Sequence, residues 1–252
     1  MRESTSQPLV SPLTEHLREL RSRLTRSVVS LLLCFIACYL LSDALVNMVV
    51  APLRASLGPN MPMIFINLPE VFFAHVKVAF VSALFLTSPY ILYHLWSFVA
   101  PGLYRNERRL FVVFLVGSSV LFLAGGYFAY SIVMPLAFQF FLGFSAPDLQ
   151  AFPAMQQYIS LVLSLGVAFG IAFEVPMVCI LLVKLGAVTI EKMKKQRRWV
   201  LVGSFVLGAV LTPPDVISQV LLAIPVYLLF ELGLLVASWM QVSPIEENSP
   251  AA

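Results

Sequence analysis

Charge is what this chain has least of. Of its 252 residues only 12% are Asp, Glu, Lys or Arg, while 60% are hydrophobic. Soluble globular domains carry about 25% charged residues, and a mean hydropathy of +0.90 excludes that class. Cysteine is also scarce: Cys34, Cys38 and Cys179 are odd in number, lie inside apolar runs and lack metal-type spacing. No disulfide framework and no zinc site is implied. His16, His75 and His94 are scattered. No H-E-x-x-H, G-x-S-x-G or Walker loop occurs, so hydrolytic and nucleotide-driven chemistry find no motif here. An internal repeat is missing as well, which argues against an inverted-repeat transporter.

What is present is a series of apolar runs near 27–50, 71–97, 110–136, 155–184, 199–212 and 216–238. Runs of about twenty such residues read as membrane spans. Six spans leave one all-α integral membrane domain over 1–252: an amphipathic segment at 1–26, a bundle at 27–238 and a short tail at 239–252. The basic residues fix its orientation. Arg2, Arg18, Arg21, Arg23 and Arg26 precede the first span. Arg105, Arg108 and Arg109 fall between spans two and three, and Lys184, Lys192, Lys194, Lys195, Arg197 and Arg198 between four and five. Only Arg54 and Lys77 lie on the other side, so the positive-inside rule puts both termini in the cytoplasm. The net charge of +3 is then a topology signal and not a nucleic-acid footprint. The N-terminal apolar run exceeds a signal-peptide core and reads as an uncleaved anchor.

Local signals refine this picture. Ser11-Pro12 opens a helix, and Leu13, Leu17, Leu20 and Leu24 recur along one face of it. That face predicts an interfacial helix before span one turns into the bilayer. Pro52, Gly58, Pro59, Pro62 and Pro69 predict a non-helical external cap from Ala51 to Glu70. Glu70, His75 and Lys77 suggest that span two begins outside the hydrocarbon, and Pro89 predicts a kink within it. Spans five and six are bounded by Arg198, Asp215 and Glu231. Those intervals give roughly 24 Å and 22 Å of helix, against a hydrocarbon core of about 30 Å. Span four is too long and must tilt, with Pro176 bending it.

Three carboxylates stand out. Glu174 lies deep in an apolar segment, where a charge costs roughly 3 kcal/mol on insertion scales, so it is neutral, paired or lining a cavity. Pro176 cannot donate to the Ala172 carbonyl, and a plain structural role for Glu174 is a hydrogen bond to that freed oxygen. Glu19 has an ordinary i,i+4 partner in Arg23. Glu107 suits the first turn of a helix through the dipole. Together, however, Glu19 and Glu107 are two acids on an otherwise basic face, able to receive a guanidinium-rich ligand by bidentate bonds. Gly166-Val-Ala-Phe-Gly170 is a small-xxx-small pattern that admits a close helix neighbour.

Several ordered segments carry a resemblance: His16-Leu-Arg-Glu-Leu-Arg21, Ala51-Pro-Leu53, Ser88 to Trp96, Phe98-Val-Ala-Pro-Gly-Leu-Tyr104, Asn106-Glu-Arg-Arg109, Phe169 to Pro176, and Leu211 to Gln219. From about residue 8 to about 238 the chain resembles the TatC family, the polytopic receptor subunits of the twin-arginine protein translocase. The resemblance implies six helices in a cupped shape, with helices five and six short. It implies Glu107 as the principal carboxylate for the arginine pair and Glu19 as its companion, in a site shaped by Phe98, Pro101, Leu103, Tyr104 and Arg109. Glu174 would face the concave side, and Pro52 and Asp215 would serve the external caps. Spans five and six, with Gln219, would dock the single-span TatA and TatB subunits.

The expected function is therefore a non-enzymatic receptor and assembly core in the bacterial inner membrane, without cofactor or metal. It would export folded precursors that carry twin-arginine signal peptides, using the proton-motive force. Its other partners would be lipid and further copies of itself. The alternative is a proton-coupled secondary transporter using Glu174. That reading explains the buried acid but not the paired carboxylates.

Overall fold

The computed structural model describes residues 12–57, 63–65, 67–99, 108–143, 154–211 and 216–239. Ten α-helices follow in order: α1 Pro12–Leu40, α2 Ser42–Leu57, α3 Pro69–Val99, α4 Arg108–Phe128, α5 Met134–Leu142, α6 Met155–Ala172, α7 Val175–Lys184, α8 Ile190–Lys195, α9 Arg197–Leu211 and α10 Val216–Trp239. A π-helical turn, Ala129–Val133, joins α4 to α5. Pro135 explains its place, because the missing N–H disturbs the ladder one turn earlier. Among the described residues the only sheet-like pairing is a parallel bridge between Ile64 and Ala154, where the Met155 N–H donates to the Ile64 carbonyl at 2.9 Å.

Among the described residues five segments are long and apolar enough to cross a membrane: Leu17–Leu40, Pro69–Phe98, Phe111–Phe140, Met155–Lys184 and Gln219–Trp239. Their outward faces remain apolar, with Leu33, Leu86, Val120, Ile171 and Leu228 all exposed. Such a surface is stable only against lipid.

α1 packs antiparallel along α3, with Phe35 against Phe80 at 6.2 Å and Cys38 buried against Ala79 and Ala83. The remaining core has two parts. One gathers Ile159, Phe169, Met134 and Val78 around α3, α5 and α6. The other gathers Trp96, Phe114, Met177 and Phe230 around α3, α4, α7 and α10. The α4–α6 crossing is held close by glycine. A Cβ on Gly125 would overlap the Phe169 carbonyl and lie 3.0 Å from the Gly170 Cα. Of the Gly166/Gly170 pair, only Gly170 is tight, since a Cβ on Gly166 would meet Phe85 at an ordinary 3.9 Å.

Several expectations change. No break separates an interfacial helix from span one, because α1 is continuous for 29 residues. The first span also ends earlier than residue 50. The chain turns at Leu41 and restarts at Ser42, where Asp43 meets His75 at 3.1 Å. The segment expected to form a non-helical external cap is helical as far as Leu57, with Pro52 inside α2. α9 is short, 15 residues or roughly 22 Å, but α10 runs for 24. Glu231 does not end α10 because its charge is matched within the protein. Its Oε2 accepts from Arg197 at 2.6 Å and its Oε1 from Tyr227 at 3.0 Å.

Candidate functional site

The basic end of the bundle is built by α1 and α3. Arg23 and Arg26 lie close enough to His94 to act on it electrostatically. With Phe35 against Phe80 higher up, this fixes the antiparallel register. Extending that register brings Glu19 beside the last turn of α3, where Phe98 is half-buried. Glu19 Oε1 accepts from Arg23 Nη2 at 2.5 Å, and the carboxylate side chain is 42% exposed. Arg23 Nη1 and His94 Nε2 are both buried without a hydrogen-bond partner among the described residues. Tyr90 and Tyr93 stand edge-on to the His94 ring at 4.6 and 5.4 Å. Neither Arg23 nor His94 was singled out by sequence. A register between α1 and α3 was needed to see that they meet.

Pro101, Leu103, Tyr104, Glu107 and Asp215 lie outside the described residues, as does the side chain of Arg109. The helix ends on either side of the first four are described: α3 closes at Val99 and α4 opens at Arg108.

Glu174 occupies the junction between the two parts of the core. α6 stops at Ala172 and α7 starts at Val175, so the bend predicted at Pro176 is a break with Glu174 as the N-cap residue. Gly233 lets α10 close on it, since a Cβ there would lie 2.8 Å from the Pro176 Cα. Glu174 Oε1 is buried with no partner among the described residues, and the side chain makes no cap hydrogen bond. Ser118, fully buried on α4, lies within side-chain reach of the carboxyl. The same hydroxyl accepts from Trp96 Nε1 at 3.0 Å. A polar thread therefore runs from α3 through α4 to the acid. A groove of about 600 Å³ runs along α3 and α6 between Lys77 and Ile171. Its lining stops one turn short of Glu174. At its far end Lys77 donates to Ser160 at 3.0 Å.

The end of the bundle opposite the basic one is braced through carbonyls. Pro52 has no N–H for the Met48 carbonyl, and Tyr130 supplies a hydroxyl at 2.7 Å instead. Tyr158 donates to the neighbouring Val49 carbonyl at 2.8 Å. In α3, Ser88 does the same for the Phe85 carbonyl that Pro89 deserts, at 2.8 Å. Gln219 is spent internally, donating to the Phe205 carbonyl at 2.8 Å and so tying α10 to α9.

Comparison with known proteins is consistent over nearly the whole chain. A family model described as Sec-independent protein translocase protein (TatC) matches residues 15–225. The Sec-independent protein translocase protein TatC of Magnetococcus marinus is 45% identical over 224 residues, covering 89% of this chain and 83% of its own. The protein of the same name from Escherichia coli strain K12 is 44% identical over 222 residues, covering 88% and 86%. A crystal structure of the twin-arginine translocase receptor TatC matches with a TM-score of 0.81 at 40% identity, over 89% of this chain and 98% of that one. The chain thus belongs to the TatC family of Sec-independent protein translocase proteins.

Proposed function

We propose that this protein is the signal-peptide receptor and assembly core of a twin-arginine translocase in a bacterial cytoplasmic membrane. The observation that carries the reading is the position of Glu19. It is a half-exposed carboxylate level with the end of α3, the helix that precedes Glu107 in sequence. In a face dominated by Arg and Lys, two such acids form a local notch. Arginine fills it better than lysine, because a guanidinium matches a carboxylate with two parallel hydrogen bonds. Phe98, Pro101, Leu103, Tyr104 and Arg109 would shape the notch, and the peptide's apolar stretch would then run toward Glu174.

In this reading α9 is a sixth, short span and both termini are cytoplasmic. The exposed apolar faces of α9 and α10 would dock TatA and TatB, with Gln219 holding the pair in register. Pro52 and Asp215 would shape the external caps. The chain itself would be non-enzymatic, with transport driven by the proton-motive force and not by nucleotide hydrolysis.

The test is binding of a fluorescent twin-arginine peptide to the purified chain in nanodiscs, beside its Lys-Lys counterpart and the Glu107→Gln protein. The Arg pair should bind about tenfold or more tightly, as expected when charge-assisted hydrogen bonds are lost with lysine. Glu107→Gln should abolish that preference. Equal binding of the two peptides would remove the carboxylate assignment and bring forward a proton-coupled transporter centred on Glu174.

A further inference from the structure

A second concavity opens at the basic end, between α8, α9 and α10 and apart from Glu19 and Glu174. It has a volume of about 460 Å³, with Lys194 and Arg197 on one wall and Leu228, Glu231, Leu232, Leu235 and Ser238 on the other. The three leucines recur at i, i+4 and i+7 and so form one stripe along α10, roughly 10 Å long. All three are exposed.

The charge at its mouth is only partly balanced within the protein. Glu231 has one oxygen taken by Arg197 and the other by Tyr227. Arg197 remains 47% exposed, with donors beyond the one it gives to Glu231. Lys194 has no ion-pair partner among the described residues. The Ser238 hydroxyl donates to its own Leu235 carbonyl at 2.7 Å, which leaves its oxygen as an acceptor. Depth is marked by two exposed indoles, Trp199 at 62% and Trp239 at 77%. In spanning proteins such rings lie at the level of the lipid headgroups. Ser238 and Leu235 therefore lie toward headgroup depth, Arg197 reaches down one turn to Glu231, and the stripe continues past Leu232 to Leu228 on the hydrocarbon side.

We propose that this cleft is a binding site for an anionic phospholipid whose headgroup carries a free hydroxyl, of the phosphatidylglycerol class. Lys194 and Arg197 hold the phosphodiester, Ser238 accepts from the headgroup hydroxyl beside Leu235, and one acyl chain runs down along Leu232 and Leu228. A zwitterionic headgroup would set its own cation against Lys194 and Arg197 and is disfavoured. The site takes only the basic-end half of the α9–α10 face, which in the receptor reading leaves TatA and TatB the half that holds Gln219, and its test reads lipid binding and not export.

The full chain is reconstituted in vesicles of phosphatidylcholine and phosphatidylglycerol, with one or the other lipid brominated, and Trp fluorescence is followed. Brominated phosphatidylglycerol should quench well beyond its mole fraction, and brominated phosphatidylcholine should not. Lys194→Gln should lower the relative affinity about fivefold, and Lys194→Arg should restore it. Lys77→Gln, at the opposite end of the bundle, should leave it unchanged. Millimolar inorganic phosphate should not relieve the quenching. Equal quenching by the two lipids would overturn the proposal and leave the cleft to an apolar partner helix. So would a preference that survives Lys194→Gln, which would reduce it to general surface charge. Relief by inorganic phosphate would assign the cleft to the free ion instead.

Discussion

Pro52 and Pro176 present the same chemical problem to two helices, and the surroundings answer it in opposite ways. At Pro52 the deserted Met48 carbonyl accepts from Tyr130 and the adjacent Val49 carbonyl from Tyr158, so α2 continues to Leu57. At Pro176 the helix breaks, and the acid at the break keeps a buried oxygen without a partner. In an apolar medium each unmet polar group is costly, so a fold that repairs one site and leaves another has placed stability at the first and polarity at the second. The lesson concerns Glu174: among the described residues nothing braces its buried oxygen as the tyrosines brace α2.

The largest effect expected comes from filling the close α4–α6 crossing, one turn before the break. Gly125→Val should force α4 off α6 and cost about 3 kcal/mol or more, read as loss of folded protein in a thermal-stability assay in detergent. Gly166→Ala, in the same assay, should be tolerated, because its neighbour is at ordinary contact distance.

Next come the braces. Tyr130→Phe and Tyr158→Phe should each destabilise by about 1 kcal/mol. In a Pro52→Ala background the cost of Tyr130→Phe should shrink, because the restored N–H at residue 52 takes the Met48 carbonyl. A double-mutant cycle measures this directly, and full additivity would disprove the repair.

Glu174→Leu should have the opposite sign, stabilising the fold by about 1 kcal/mol through removal of an unmet polar group, while impairing export of twin-arginine precursors. Destabilisation by that substitution would show that the acid is a structural lock after all. The smallest effect is that of Ser88→Ala, roughly 0.5 kcal/mol, visible as a slightly lower Tm with binding unchanged.

Much of this was legible in the residues. Apolar run length marked the five spans borne out among the described residues, since a bilayer demands about twenty apolar residues, and a bend at Pro176 followed from one missing donor. Glu231 misled, because a charge read as a helix boundary is in fact paired with Arg197 across the α9–α10 seam. Pro52 misled for a related reason: a Pro-rich segment reads as a loop until a tyrosine from another helix is seen to complete its ladder. At the candidate site the acids stood out by their sign against a basic background. Arg23 was legible only as the i,i+4 partner of Glu19, and the further helper groups His94, Trp96 and Ser118 did not stand out, because each acts through a neighbour distant in sequence.

The sequence by itself determined that this is an all-helical membrane protein, which end is basic and where acids interrupt the apolar or basic pattern. Those properties are sums over local transfer energies and need no knowledge of neighbours. Only the tertiary structure decided which prolines break a helix, which charges are matched and which buried oxygen is left over. Each of these depends on whether a donor from another helix arrives within about 3 Å, and that distance is set by how the helices pack.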